Sequence, residues 1–215
     1  MSFASSQTKS LSLDTPTLMA IGIVAFILAN VLHEALGHGG GCLLVGGEPL
    51  ALSSAHFRCG MEDVSLLGQR FVAAAGTLVN FIAAHLFWLA FRHTRLASSA
   101  LRYFCWLALS SNFFVAAGYP LFSGVLGVGD WSAVTEGLHP SWLWRLLLIA
   151  SGLALYALGV WVSLRAMTLL IGAHPTERRV RAFRLSLLPY LAGSLALTIG
   201  TLLNPLGPFV VGMTA

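Results

Sequence analysis

Five stretches of this chain contain no Asp, Glu, Lys or Arg: Thr15–His33, Phe71–Phe91, Tyr103–Gly129, Leu146–Leu164 and Leu185–Ala215. Each is long enough for a helix of about 20 residues, the length that crosses a hydrocarbon core roughly 30 Å thick. In lipid a helix satisfies every backbone polar group within its own segment, which few other structures can do. Of the 215 residues 57% are hydrophobic and 9% charged, against about 25% charged in an ordinary soluble domain. The pattern specifies an all-α polytopic membrane protein with about five transmembrane helices, near 16–36, 68–92, 100–120, 142–171 and 185–203. Asn204-Pro205 and Gly207-Pro208 should stop the last of them and leave a short apolar tail. Residues 1–15 read as a disordered tail without the features of a cleaved signal, and 16–215 as a single transmembrane domain.

Basic residues orient such a bundle, because they collect in cytoplasmic loops. With five spans the N-terminal tail and the loops at 92–102 and 172–184 share one side. That side carries Lys9, Arg92, Arg95, Arg102, Arg178, Arg179, Arg181 and Arg184; the other carries only Arg58, Arg70 and Arg145. The first side, with the N-terminus, is expected in the cytoplasm, where the arginines at 178–184 would anchor to anionic headgroups. The net charge of +4 then reflects topology and argues against a nucleic-acid partner. Trp131, Trp142 and Trp144 fall near one border and Trp88 and Trp161 nearer the other, as interfacial belts require. Cys42 and Cys59 share the non-cytoplasmic segment after the first span, where a disulfide can persist, while Cys105 falls inside the third helix.

The chemistry concentrates in NVLHEALGHGGG, Asn30 to Gly41, where three ionisable side chains close the first span. Groups of this kind are expensive in a membrane and mark function. In the zinc-peptidase pattern H-E-x-x-H two histidines four apart share a helical face, with the glutamate as general base. His33 and His38 are five apart, which on a regular α-helix leaves them about 140° apart around the axis, against about 40° for a spacing of four. A π-bulge would add the extra residue to a turn. Alternatively a left-handed cap at Gly37, followed by Gly39, Gly40 and Gly41, would end the helix and let His38 fold back. A third reading makes Glu34 and His38, at i and i+4, the ligand pair.

Three further stretches follow in order. GGEPLALSSAHFRCG, from Gly46 to Gly60, alternates small and apolar residues between glycines and reads as a short hairpin or re-entrant segment. AAGTLVNFIAAHL, from Ala74 to Leu86, lies in the second helix, and SNFFVAAGYPLFSGVLGVGDW, from Ser111 to Trp131, ends a charge-free run in Asp130. This order of parts resembles the site-2 protease family of intramembrane zinc metalloproteases. That family has an H-E-x-x-H helix, a membrane-associated hairpin, a helix with A-G-P-x-x-N, and an N-x-x-P helix leading to an Asp-Gly. Here Ala75-Gly76-Thr77-Leu78-Val79-Asn80 matches the second motif with Thr77 in place of proline. Asn112, Pro120 and Asp130 correspond to the third at longer spacing, with Trp131 after the aspartate. The likeness spans roughly residues 20–135.

The resemblance implies that His33, His38 and Asp130 hold Zn2+, or another divalent metal, with a fourth position left to water. It makes Glu34 the catalytic acid/base. Asn80 and Asn112 would bind a substrate strand or an oxyanion, or else join helices by hydrogen bonds. His56, in the hairpin, would be a further substrate contact. The substrate would be a membrane-associated peptide or a transmembrane helix. A different class of function fits the same residues: a non-hydrolytic membrane protein with a structural metal, or an ion or small-molecule path lined by His33, Glu34 and His38. His85 reads as structural, and His93, His139 and His174 as loop residues.

Overall fold

The computed structural model describes residues 13–53, 56–94, 98–171 and 175–204. Most of the expected N-terminal tail, Arg95, His174 and the apolar tail beyond Asn204 lie outside the described residues. Helix α1 (Thr15–Val31) opens on Asp14, whose carboxylate accepts the Thr17 N–H at 2.8 Å, with Pro16 in the first turn. The missing proline N–H is harmless there, because the first turn has no intrahelical acceptors to fill. The chain continues through a π-helix (Leu32–Gly39) into α2 (Gly40–Leu44), so the first span is one rod from Thr15 to Leu44. An antiparallel hairpin of β1 (Glu48–Leu52) and β2 (Phe57–Gly60) follows, pairing Glu48 with Gly60 and Leu52 with Phe57 across a bulge at Pro49–Ala51.

Four more helices cross, with one short helix between them: α3 (Leu66–His93), α4 (Ser99–Leu126), α5 (Asp130–Thr135), α6 (Ser141–Ile171) and α7 (Pro175–Leu202). Ser65 and Ser98 cap α3 and α4 by accepting the N–H groups of Gly68 and Leu101. Five helices are long and apolar enough to span a membrane, as the charge-free runs require. Three boundaries differ from the sequence reading, the first being the end of the first span, which runs on past residue 36 to Leu44. Helix α7 begins ten residues before Leu185, because Pro175 suits a first helical turn and Glu177 and Arg181 pair one turn apart at 2.9 Å. Arg178 to Arg184 therefore ride on a helix rather than a loop. Helix α4 runs through Pro120 to Leu126 and stops where Gly127 takes a left-handed φ of 75°.

Helix α4 is the most enclosed span and packs against α1, α3, α5 and α6. Its aromatic residues carry polar handles that find backbone acceptors: Tyr103 Oη donates to the Leu185 carbonyl at 2.7 Å and Trp106 Nε1 to the Ser163 carbonyl at 3.0 Å. The outward faces are as apolar as the core, with Leu86, Leu153, Trp161, Leu164 and Leu195 all exposed. Such a surface is stable only against lipid. The molecule is a multi-pass helical membrane protein.

A smaller core of Cys42, Phe57 and Val72 lies beneath the hairpin, and Cys42 and Cys59 are joined by a disulfide with a Cα separation of 6.0 Å. Cys105 is the free thiol. Denatured, unreduced protein should therefore titrate with one thiol and reduced protein with three. Three thiols before reduction would contradict the bond.

Candidate metal centre

The five-residue spacing of His33 and His38 is accommodated by the π-helix. Its i→i+5 hydrogen bonds bring residues five apart back to one face. The backbone is right-handed on both sides, at Val31 and at Gly40, and Gly37 is not among the glycines with positive φ. The left-handed cap expected at Gly37 is thus replaced by the wider helix. The glycines serve another purpose: the segment crosses α3 at near backbone contact, where a Cβ on Gly37 would collide with Gly76.

Gly76 lies directly under the histidines. A Cβ there would stand 2.6 Å from His33 Nε2 and 2.8 Å from His38 Nε2, a space that only glycine leaves open. His38 Nδ1 lies 2.8 Å from the Val72 carbonyl; that oxygen can only accept, so Nδ1 carries the proton. Asn80 donates through Nδ2 to the Ala29 carbonyl and to Asn112 Oδ1, leaving its Oδ1 to accept from His33 Nδ1 at 2.7 Å. Asn112 in turn donates to the Ala108 carbonyl at 2.8 Å. Both imidazoles are therefore protonated on Nδ1 and present bare Nε2 lone pairs to the same point.

Asp130 supplies the third atom. Gly127 and Gly129, with φ of 75° and 88°, turn the chain back at the end of α4 so that α5 starts beside the histidines. Asp130 Oδ2 lies 3.1 Å from His33 Nε2 and 3.3 Å from His38 Nε2, and the two nitrogens are 3.2 Å apart. A four-coordinate ion with bonds of about 2.05 Å keeps its ligand atoms about 3.3 Å apart. The buried set of His33, His38 and Asp130 can hold a metal ion: its donors suit a divalent cation, and both histidines have the outer hydrogen bonds that ligand imidazoles need.

Glu34 is 4% exposed, and its Oε2 is buried without a protein hydrogen bond. It lines a cavity of about 410 Å³ with His38, Asp130, Tyr119 and His56. His56 thus faces the site from the hairpin. Asn80 and Asn112 do not. Both are fully enclosed, and their hydrogen bonds run to His33, to each other and to the Ala29 and Ala108 carbonyls. The ligand-type atoms that the structure gathers are those of His33, His38 and Asp130, with Glu34 lining the same cavity.

Three contacts escaped the sequence reading. The Tyr119 ring stacks on His33 at a centroid distance of 4.1 Å and 23°; it stands seven residues after Asn112, two turns along the same face of α4, and that offset is the signal. Trp131 and Thr77, the two departures from the family pattern, meet each other, since the indole N–H donates to the Thr77 hydroxyl at 3.0 Å. Arg70 Nη2 donates to the Glu136 carbonyl at 2.7 Å. Together these bonds strap α5 to α3 near both of its ends. His85 is exposed on α3 and tilted against Trp88, His93 ends α3, and His139 precedes α6.

No family model, curated protein or solved structure matches this chain. The geometry around His33 makes a forecast of its own. Asn80→Ala leaves the ligands intact and frees the His33 ring, so metal affinity should fall about 10–100-fold, and Trp131→Phe should weaken it in the same direction by loosening Asp130. Calorimetric titration of the metal-stripped protein measures both, and unchanged affinity in Asn80→Ala would remove the asparagine from this role.

Proposed function

We propose that this protein is a zinc-dependent intramembrane peptidase of the site-2 protease type. The observation that carries the reading is the convergence of two imidazole lone pairs and a carboxylate oxygen within 3.3 Å of one another. Three electron-rich atoms so close repel unless a cation lies among them. An all-nitrogen and carboxylate donor set with one acidic side chain alongside favours zinc over magnesium or calcium, which prefer all-oxygen shells. His33, His38 and Asp130 would hold the ion. When bound it supplies Lewis acidity, which polarises a carbonyl and acidifies water.

The remaining work belongs to the chain. Glu34 takes the proton from the water that attacks the scissile carbonyl and passes it to the leaving nitrogen. Its buried oxygen, without a protein hydrogen-bond partner, is left free to meet a water in the cavity it lines. Asn80 and the Val72 carbonyl fix the tautomers of the two histidines, and His56 and Tyr119 line the space a peptide would occupy. The substrate would be a membrane-associated peptide or an unwound transmembrane segment. The charge bias of the loops supports a cytoplasmic N-terminus with the site toward the opposite face, and the Cys42–Cys59 bond supports a non-reducing compartment there.

Glu34→Gln tests the reading, because it keeps size and removes the proton acceptor. Zinc content should stay at the wild-type level while cleavage of a membrane peptide falls about 10²–10⁴-fold; His33→Ala should lose metal and cleavage together. Loss of metal from Glu34→Gln would make Glu34 a ligand. Full metal with no cleavage by the wild type would move the reading to a structural metal or an ion path.

A further inference from the structure

At the opposite end of the bundle, α3 and α6 flank α4 and leave a groove of about 860 Å³ open to the surroundings. Its floor is Leu109 and Phe113 of α4, and its walls include Phe81 and Leu158. On α3 it runs from Phe81 to Arg92, about 16 Å at 1.5 Å per residue. That is close to half of a hydrocarbon core roughly 30 Å thick, the depth of one leaflet.

The deep part is apolar and the mouth is cationic. Among the described residues, the side chains lining the groove include two guanidinium groups, Arg92 and Arg165 near the ends of α3 and α6, and one imidazole, His85, but no carboxylate. Their guanidinium groups lie over tryptophans, Arg92 at 4.8 Å from the Trp88 centroid and Arg165 at 5.5 Å from that of Trp161. A third guanidinium, that of Arg102, lies 5.2 Å from the ring of Phe91, another lining residue. A stacked guanidinium is held by its face while its N–H edge stays directed outward, the geometry that pairs with phosphate oxygens.

We propose that this groove binds one anionic phospholipid from the leaflet at the arginine-rich end, with an acyl chain along Phe113 and Leu158 and the phosphate between Arg92 and Arg165. An amphiphile whose charged group sits one leaflet above its chain end matches both halves of the groove. A neutral lipid matches only the apolar half, and a soluble anion only the mouth. The site lies apart from the His33, His38 and Asp130 cluster, so its occupancy is independent of the peptidase reading.

The experiment is native mass spectrometry of the delipidated full-length protein titrated with phosphatidylglycerol and with phosphatidylcholine of the same acyl chains. Phosphatidylglycerol should bind about 30-fold more tightly, as expected for two arginines that each gain about 1 kcal/mol beside an anionic headgroup. The double variant Arg92→Gln/Arg165→Gln should bring the two lipids to equal affinity. Arg179→Gln, the same charge change on the exposed face of α7, should keep the preference. Leu158→Trp, which fills the groove and retains both arginines, should weaken both lipids, so the proposal stays testable should the arginine variant fold poorly. Equal binding of the two lipids by wild type, a preference that survives the double variant, or one that Arg179→Gln abolishes would overturn it. So would displacement of the lipid by millimolar inorganic phosphate, which would make the mouth alone the site.

Discussion

The structure is organised around three electron-rich atoms brought together where water is scarce. His33 Nε2, His38 Nε2 and Asp130 Oδ2 stand 3.1–3.3 Å apart, and every unusual feature nearby exists to keep them there. The π-helix turns two histidines at an awkward spacing onto one face. Gly76 clears the volume their rings occupy. The Asn80–Asn112 pair and the Val72 carbonyl orient the nitrogens, and the Trp131–Thr77 bond brings the aspartate across from another helix. Remove any one support and the remaining ligand atoms are left in a low-dielectric interior without the company that justifies their burial.

Much of this was legible in the sequence. Runs free of charge located five spans because lipid excludes ions so strongly that the rule admits few exceptions. The hairpin followed from local pattern, the grouping of His33, His38 and Asp130 from the order of parts in the family that the chain resembles, and the shared segment of Cys42 and Cys59 from the expected topology. What was not legible depended on packing. The glycines after His33 suggested a left-handed cap, yet their lack of side chains served a close crossing with α3 instead. The two asparagines could be read as substrate contacts or as links between helices, because an amide is able to do either task; their hydrogen bonds to His33 and to neighbouring helices appear only once the packing is known. Tyr119 was overlooked because its only signal is the seven-residue offset that puts it on the same face of α4 as Asn112.

Thr77 and Trp131 illustrate a subtler limit. Taken one at a time, each weakens the likeness to an intramembrane protease, since one replaces a proline and the other a glycine. In three dimensions they are a single change, a hydroxyl acceptor and an indole donor 3.0 Å apart. A motif compared position by position cannot register that two such residues touch, because they stand 54 residues apart along the chain and on different helices.

The Cys42–Cys59 bond acquires a meaning beyond tethering a hairpin. A π-helix is a displacement of helical phase: were the same residues to relax into α-geometry, everything after them would swing by about 100° for the residue taken back into the regular spiral. Cys42 lies three residues beyond the end of the π segment, and its link to β2 pins the azimuth of that end. The hairpin lies against it on one side and α3 on the other. The disulfide therefore acts as a torsional stop, keeping the helix from unwinding the offset on which the meeting of the two histidines depends.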